Sequence, residues 1–77
     1  MKEVWIVSFV DYFDRAAFST ADGAYCCIVE QLNYDNKYSD NDRTKMLDEL
    51  AADYTENPDN FGLFDFGWAE KIEVDVW

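Results

Sequence analysis

From Met46 to Glu70 the chain carries no Lys or Arg, yet Asp48, Glu49, Asp53, Glu56, Asp59, Asp65 and Glu70 all fall in that window. They sit among Leu, Phe and Trp rather than in a polar tail. A carboxylate buried without a cation is costly. A fold built on this stretch must therefore turn its apolar residues inward and leave the acids on its surface. Over the whole chain 17 acidic residues face 6 basic ones, a formal charge of −11. Aromatic residues make up 18% of the chain, whereas disordered acidic segments are poor in them. The composition is that of a folded domain with a negative surface.

A chain of 77 residues makes one domain, 1–77, with a small core. Its charge repels nucleic acid and anionic lipid, which bind through cationic side chains. A basic protein surface is the natural counterpart, and long-range attraction would speed its capture. The apolar run from Val4 to Val10 is short and has no adjoining small-residue cleavage site, so no signal peptide is expected. Nothing approaches a membrane span. Cys26 and Cys27 are adjacent on an expected helix and unsuited to an ordinary disulfide, so they read as small core or half-buried thiols. A cytoplasmic location is expected.

Residues 3–10 read as a strand that is apolar on both faces. Val4, Ile6 and Val10 lie on one side with Ser8, and Trp5, Val7 and Phe9 on the other. That pattern suits a central strand, or one with a face held by a partner. Asp11-Tyr12-Phe13-Asp14 is a turn candidate, and 15–19 returns as a second, antiparallel strand. Ser19 or Thr20 can cap a helix carrying Ala21, Tyr25, Ile28 and Leu32 at helical spacing. A polar loop over 33–42 follows. A second helix, capped by Ser39 or Asp40, runs to about Tyr54 on a stripe of Met46, Leu47, Leu50, Ala51 and Tyr54. Asn57-Pro58-Asp59 ends it. Residues 61–77 read as β: Phe64, Phe66 and Trp68 alternate with Asp65 and Gly67, and Ile72, Val74 and Val76 with Glu73 and Asp75. Ala69-Glu70-Lys71 is the expected turn between two strands, unless the segment is a loop feeding one strand. The fold class is α+β: a small antiparallel sheet with two helices packed on one face, in the order β-β-α-α-β(-β).

Catalysis finds little support in these residues. Histidine is absent, no base is evident beside Ser8, Ser19 or Ser39, and no cation lies near Cys26 or Cys27 in sequence. No enzyme activity is expected. A calcium loop counted from Asp40 places Lys45 at the glycine position and Ala51 at the glutamate position. Counted from Asn57, Gly62 fits, but Phe61 and Trp68 occupy ligand positions. Zinc has no ligand cluster either. Neither a metal nor a cofactor is expected.

The acidic face of the second helix says more. Asp48, Glu49 and Asp53 lie opposite or beside the apolar stripe, and Glu56 continues the run. Glu49 and Asp53 are a like-charge i,i+4 pair that costs the helix a few tenths of a kcal/mol. A solvated, solubilising face and a patch for a cationic partner are both consistent with this. The 14 aromatic residues are many for so small a core, and exposed Trp and Tyr anchor interfaces. Homodimerisation through a sheet edge or face is a second outlet for them.

A short, very acidic, aromatic-rich chain with anions spread over 46–70 resembles small phage-encoded counter-defence proteins, of which anti-CRISPR proteins and other DNA mimics are the best known. Val4-Trp5-Ile6-Val7-Ser8-Phe9, followed by Ala17-Phe18-Ser19-Thr20 and a helix, is similar to the opening of small phage and bacterial β-β-α proteins. The resemblance implies an inhibitor that occupies a basic nucleic-acid-handling protein, such as a CRISPR nuclease, with carboxylates in place of phosphates. The expected acidic contacts are Asp48, Glu49, Asp53, Glu56, Asp59 and Asp65, with Tyr54, Phe61 or Trp68 as anchors. The alternative is a protein-interaction or homodimerisation module with contacts centred on aromatic and strand residues.

Overall fold

The computed structural model describes residues 2–11 and 15–75. They form β1 (Lys2–Phe9), β2 (Ala16–Phe18), α1 (Ala21–Tyr34), α2 (Asp40–Glu56), β3 (Asn60–Leu63) and β4 (Gly67–Val74). The four strands make one antiparallel sheet in the order β2-β1-β4-β3, with both helices on one face. This is the α+β arrangement expected from the sequence. The turn candidate at Asp11–Asp14 falls mostly outside the described residues, as do Val76 and Trp77.

Strand alternation decides which side chains meet the helices. Val7 is fully buried opposite Ala69, while Trp5 and Phe9 flank it against the core. Phe61 and Leu63 of β3 point the same way. Helix α1 meets them with Ala24, Ile28 and Leu32, one face at four-residue spacing, and α2 contributes Leu50. The caps follow from the sequence: Thr20 Oγ1 accepts the Gly23 amide at 3.0 Å, and Ser39 Oγ accepts that of Asp42 at 3.2 Å.

Residues 35–39 alone separate the helices, fewer than the polar 33–42 stretch suggests. Arg43 closes this connection. Its guanidinium donates to the carbonyls of Leu32 (3.2 Å), Asp35 (2.8 Å) and Tyr38 (3.3 Å). The last turn of α1 contains no basic residue, so a cation from α2 satisfies its C-terminal end.

The C-terminal hairpin differs from expectation. Its turn lies at 64–66, and Ala69-Glu70-Lys71 runs through the middle of β4. Phe66 is what pulls the turn forward. Its amide donates to the Leu63 carbonyl at 3.1 Å, and its ring sits in the core with edge contacts to Phe9 (5.6 Å) and Tyr38 (6.0 Å). Small Ala69 must stay in the strand because it fits beneath the helices opposite Val7.

Candidate functional site

Glu49, Asp53 and Glu56 recur at helical spacing along one flank of α2, with β3 packed against that helix. Asp48 is exposed but lies off that row, on the side turned away from the sheet. Asp53 is half-buried, and its Oδ2 accepts the Gly62 amide at 2.9 Å. Asp59 is also engaged: Lys71 Nζ lies 3.1 Å from it and 2.9 Å from Glu3. The same end of the sheet is held by Trp5, whose indole N–H donates to the Pro58 carbonyl at 2.9 Å. These partners raise the Lys71 pKa, chiefly through the hydrogen bonds to Glu3 and Asp59.

The expected anchors separate as well. Phe61 is only 2% exposed and belongs to the core. Tyr54 stacks on Tyr25 at 4.5 Å, leans on Phe61 at 4.7 Å and donates its hydroxyl to Asp22 at 2.5 Å. Both residues hold α1, α2 and β3 together. Trp68 lies on the sheet face away from the helices, 39% exposed. Of the nine expected contacts, Glu49 and Asp65 line one hollow, of ≈ 200 Å³, with Tyr38, Met46, Leu63 and Phe64, and Asp53, Phe61 and Trp68 border another, beside β3. Glu56 extends the Glu49 flank. Asp48 faces outward, Asp53 and Asp59 have internal roles, Tyr54 and Phe61 pack inside, and Trp68 is across the sheet.

Trp68 alone of the expected contacts lies on the open face of the sheet. Alternation places Lys2, Val4, Ile6 and Ser8 of β1 there, paired with Val74, Ile72, Glu70 and Trp68 of β4. Ile72 is 41% exposed and Val74 36%. Val10 and Phe64 continue the apolar character beyond the strands, and Phe64, at the hairpin tip, is 95% exposed. With Asp53, Phe61, Gly62, Leu63 and Trp68, these two line an open groove of ≈ 670 Å³ beside β3. Glu70 is the one carboxylate in the central rows of this face, and it forms no ion pair among the described residues. The two-sided apolar character of residues 4–10 was the signal for this face. In β4 the signal was hidden, because Glu70 interrupts an alternation that stays in phase from Trp68 to Val74.

The β3 edge of the sheet is closed. The amides of β3 that point away from β4 are those of Asn60 and Gly62, and each has an acceptor: the Asn57 carbonyl at 3.1 Å and the Asp53 carboxylate. A further strand cannot add there without displacing both.

Little in the remaining side chains suggests covalent chemistry. Burial first, and then the nearby Glu30 carboxylate, raise the Cys27 thiol above its ordinary pKa, opposite to what a nucleophile needs. Among the described residues no group of three His, Cys, Asp or Glu side chains is placed to hold a metal ion, and no helix is long and apolar enough to cross a membrane. No protein-family model matches this chain, and neither a curated protein sequence nor a solved structure is significantly similar to it.

Proposed function

We propose that the chain is a protein-binding domain that acts by covering a surface of its partner, and that it binds through the open face of its sheet. One observation carries this reading: the two central strands present Val4, Ile6, Trp68, Ile72 and Val74 on the face that no helix covers. A sheet face whose apolar residues are interrupted only by Ser8, Glu70 and Lys2 is unfavourable in water, whereas an interface core is built from such residues. The charge of −11 steers the encounter toward a cationic partner.

A second reading rests on a different observation. Glu49, Glu56 and Asp65 lie on one exposed flank of α2 and the hairpin, where Lys45, one helical turn before Glu49, is the nearest basic residue in sequence. On that flank the chain acts as an acidic inhibitor, an anti-CRISPR-like DNA mimic occupying the basic groove of a nucleic-acid-handling protein. Asp53 and Asp59 contribute to the field there but are tied to Gly62 and Lys71.

Capture from a bacterial lysate with three forms of the protein separates the two. Ile72→Asp disrupts the sheet face, and Glu49→Lys with Glu56→Lys inverts the flank. Circular dichroism checks that each form is folded. The favoured reading expects Ile72→Asp to lose the retained protein and the flank variant to keep it. The opposite pattern, with DNA competing for the same partner, establishes the mimic instead.

A further inference from the structure

We infer that the occupant of the open sheet face is a cationic amphipathic helix of the partner, its apolar stripe on the Val4–Ile72 and Ser8–Trp68 rows and an Arg or Lys side chain against Glu70. This rests on the sheet face being the binding surface, and it adds what kind of structure binds there.

Three properties of the face select that occupant. The first is its shape. The opposite face of the same sheet already carries helices, with α1 lying across β1, β2 and β4, so a helix laid on the open side completes a three-layer arrangement. β1 and β4 are eight residues each, a length of about 26 Å at ~3.3 Å per residue. A helix of about 17 residues, at ~1.5 Å per residue, spans it.

The second is charge. Glu70 pairs across the strands with Ile6 and lies between the Val4–Ile72 and Ser8–Trp68 pairs, in the middle of the apolar surface. Any occupant covers it. A second copy of this chain, meeting face to face, brings two chains of formal charge −11 together and offers Glu70 only Lys2, the one basic residue in the β1–β4 rows of this face, four positions along β1 from the Ile6 that Glu70 pairs with. A carboxylate desolvated without a close cation is strongly unfavourable. An arginine or lysine from the occupant converts the same carboxylate into a charge-assisted hydrogen bond.

The third is the sealed edge. Asp53 and Asn57 take the outward amides of β3, which closes the strand-addition route on that side and leaves the face as the accessible surface there.

The test uses the full chain and three synthetic peptides of equal length: a leucine-striped amphipathic helix with lysine and arginine on its polar side, the same helix with glutamate there, and a scrambled form of the basic peptide. Amide chemical-shift changes locate binding. The basic helix should bind, with shifts concentrated at 4–8 and 68–74, while the glutamate and scrambled peptides bind at least tenfold more weakly. Glu70→Gln should weaken the basic helix about tenfold, the usual scale for losing one charge-assisted partner. Ile72→Asp should abolish binding, and Ile72→Thr, a milder change on an exposed strand position, should weaken it if the aspartate variant unfolds. Glu49→Gln with Glu56→Gln should change it less than twofold.

Equal binding of the basic and glutamate helices on 4–8 and 68–74 overturns the cationic occupant but leaves the sheet-face reading intact. Shifts centred on α2, or binding indifferent to both Ile72 variants, overturn the face itself. A dimer at micromolar concentration by sedimentation equilibrium, lost in Ile72→Asp, assigns the face to a second copy and refutes the helix. Absence of binding by all three peptides refutes it as well.

Discussion

Asp53 accepts the outward-pointing amide of Gly62 at 2.9 Å, so a carboxylate on α2 seals the free edge of β3. Removing the acceptor leaves a half-buried N–H unpaired, at a cost of about 1–3 kcal/mol. We expect Asp53→Ala to lower stability in urea unfolding by that amount, and Asp53→Asn, which keeps an amide oxygen, to lower it less. Equal losses would mean that the charge, not the acceptor, matters. Charge reversal at Asp53 also perturbs the fold, so it is a poor probe of partner binding.

Gly62 has φ +156°, and a Cβ there would lie 2.4 Å from both Cα and Cβ of Trp68. Backbone has to move for any side chain to fit. Strain and overpacking each cost about 1–3 kcal/mol. Gly62→Ala should therefore lower the urea midpoint more than Gly67→Ala, whose nearest new contact is the Phe9 ring at 2.5 Å, a group that can shift. A larger loss at Gly67 would place the tighter constraint under Phe9.

Arg43 links the end of α1 to the start of α2 through three carbonyls and the Asp40 carboxylate at 3.0 Å. Lysine cannot reproduce that planar fork. Arg43→Lys and Arg43→Met should both destabilise the fold by about 1–3 kcal/mol in thermal or urea unfolding. Hydrogen exchange should rise first in the amides at the C-terminal end of α1. Full rescue by lysine would reduce the role of Arg43 to its charge.

The Tyr54 hydroxyl is pushed up to about 12 from its ordinary 10.0, first by its hydrogen bond to Asp22 and then by burial. In the folded state the neutral form is favoured, so the unfolded chain releases the proton at lower pH. The contribution is fully present below pH 10.0 and is lost as pH rises toward about 12. Absorbance titration of tyrosinate should show one late step near pH 12, absent in Tyr54→Phe. Lys37 and Lys71, both raised by carboxylate partners, lose their contributions in the same direction. The tyrosinate signal distinguishes Tyr54 from them. A late step persisting in Tyr54→Phe would assign it to another tyrosine.

Much of the fold was legible from spacing alone. The Leu47/Leu50/Tyr54 stripe and the cap candidates at Ser19 or Thr20 and at Ser39 or Asp40 located both helices, because periodicity and capping are local properties, and the structure settles the caps on Thr20 and Ser39. The hairpin turn was misplaced for an equally physical reason. Phe64-Asp65-Phe66 lacks a glycine–asparagine turn signature and alternates like a strand, and only the core contacts of Phe66 with Phe9 and Tyr38 make it a corner. The candidate site was less legible. Helical spacing gathered Asp48, Glu49, Asp53 and Glu56 on the polar side of α2 without setting Asp48 apart, and the bond from Gly62 to Asp53 and the bridge from Lys71 to Asp59 join residues that only the tertiary structure brings together. Phe61 and Trp68 are seven positions apart in one hairpin, yet they point to opposite sides of the sheet.

The strand order β2-β1-β4-β3 places the first and last strands side by side at the centre. During synthesis β1 has no neighbour on that side until β4 leaves the ribosome, so sheet closure waits on a pairing of maximal sequence separation. A chain cut within β4 loses its middle rather than a margin. A form nicked there would leave the Val7 row of β1 without its central partner and open to solvent the surface that the intact sheet hides.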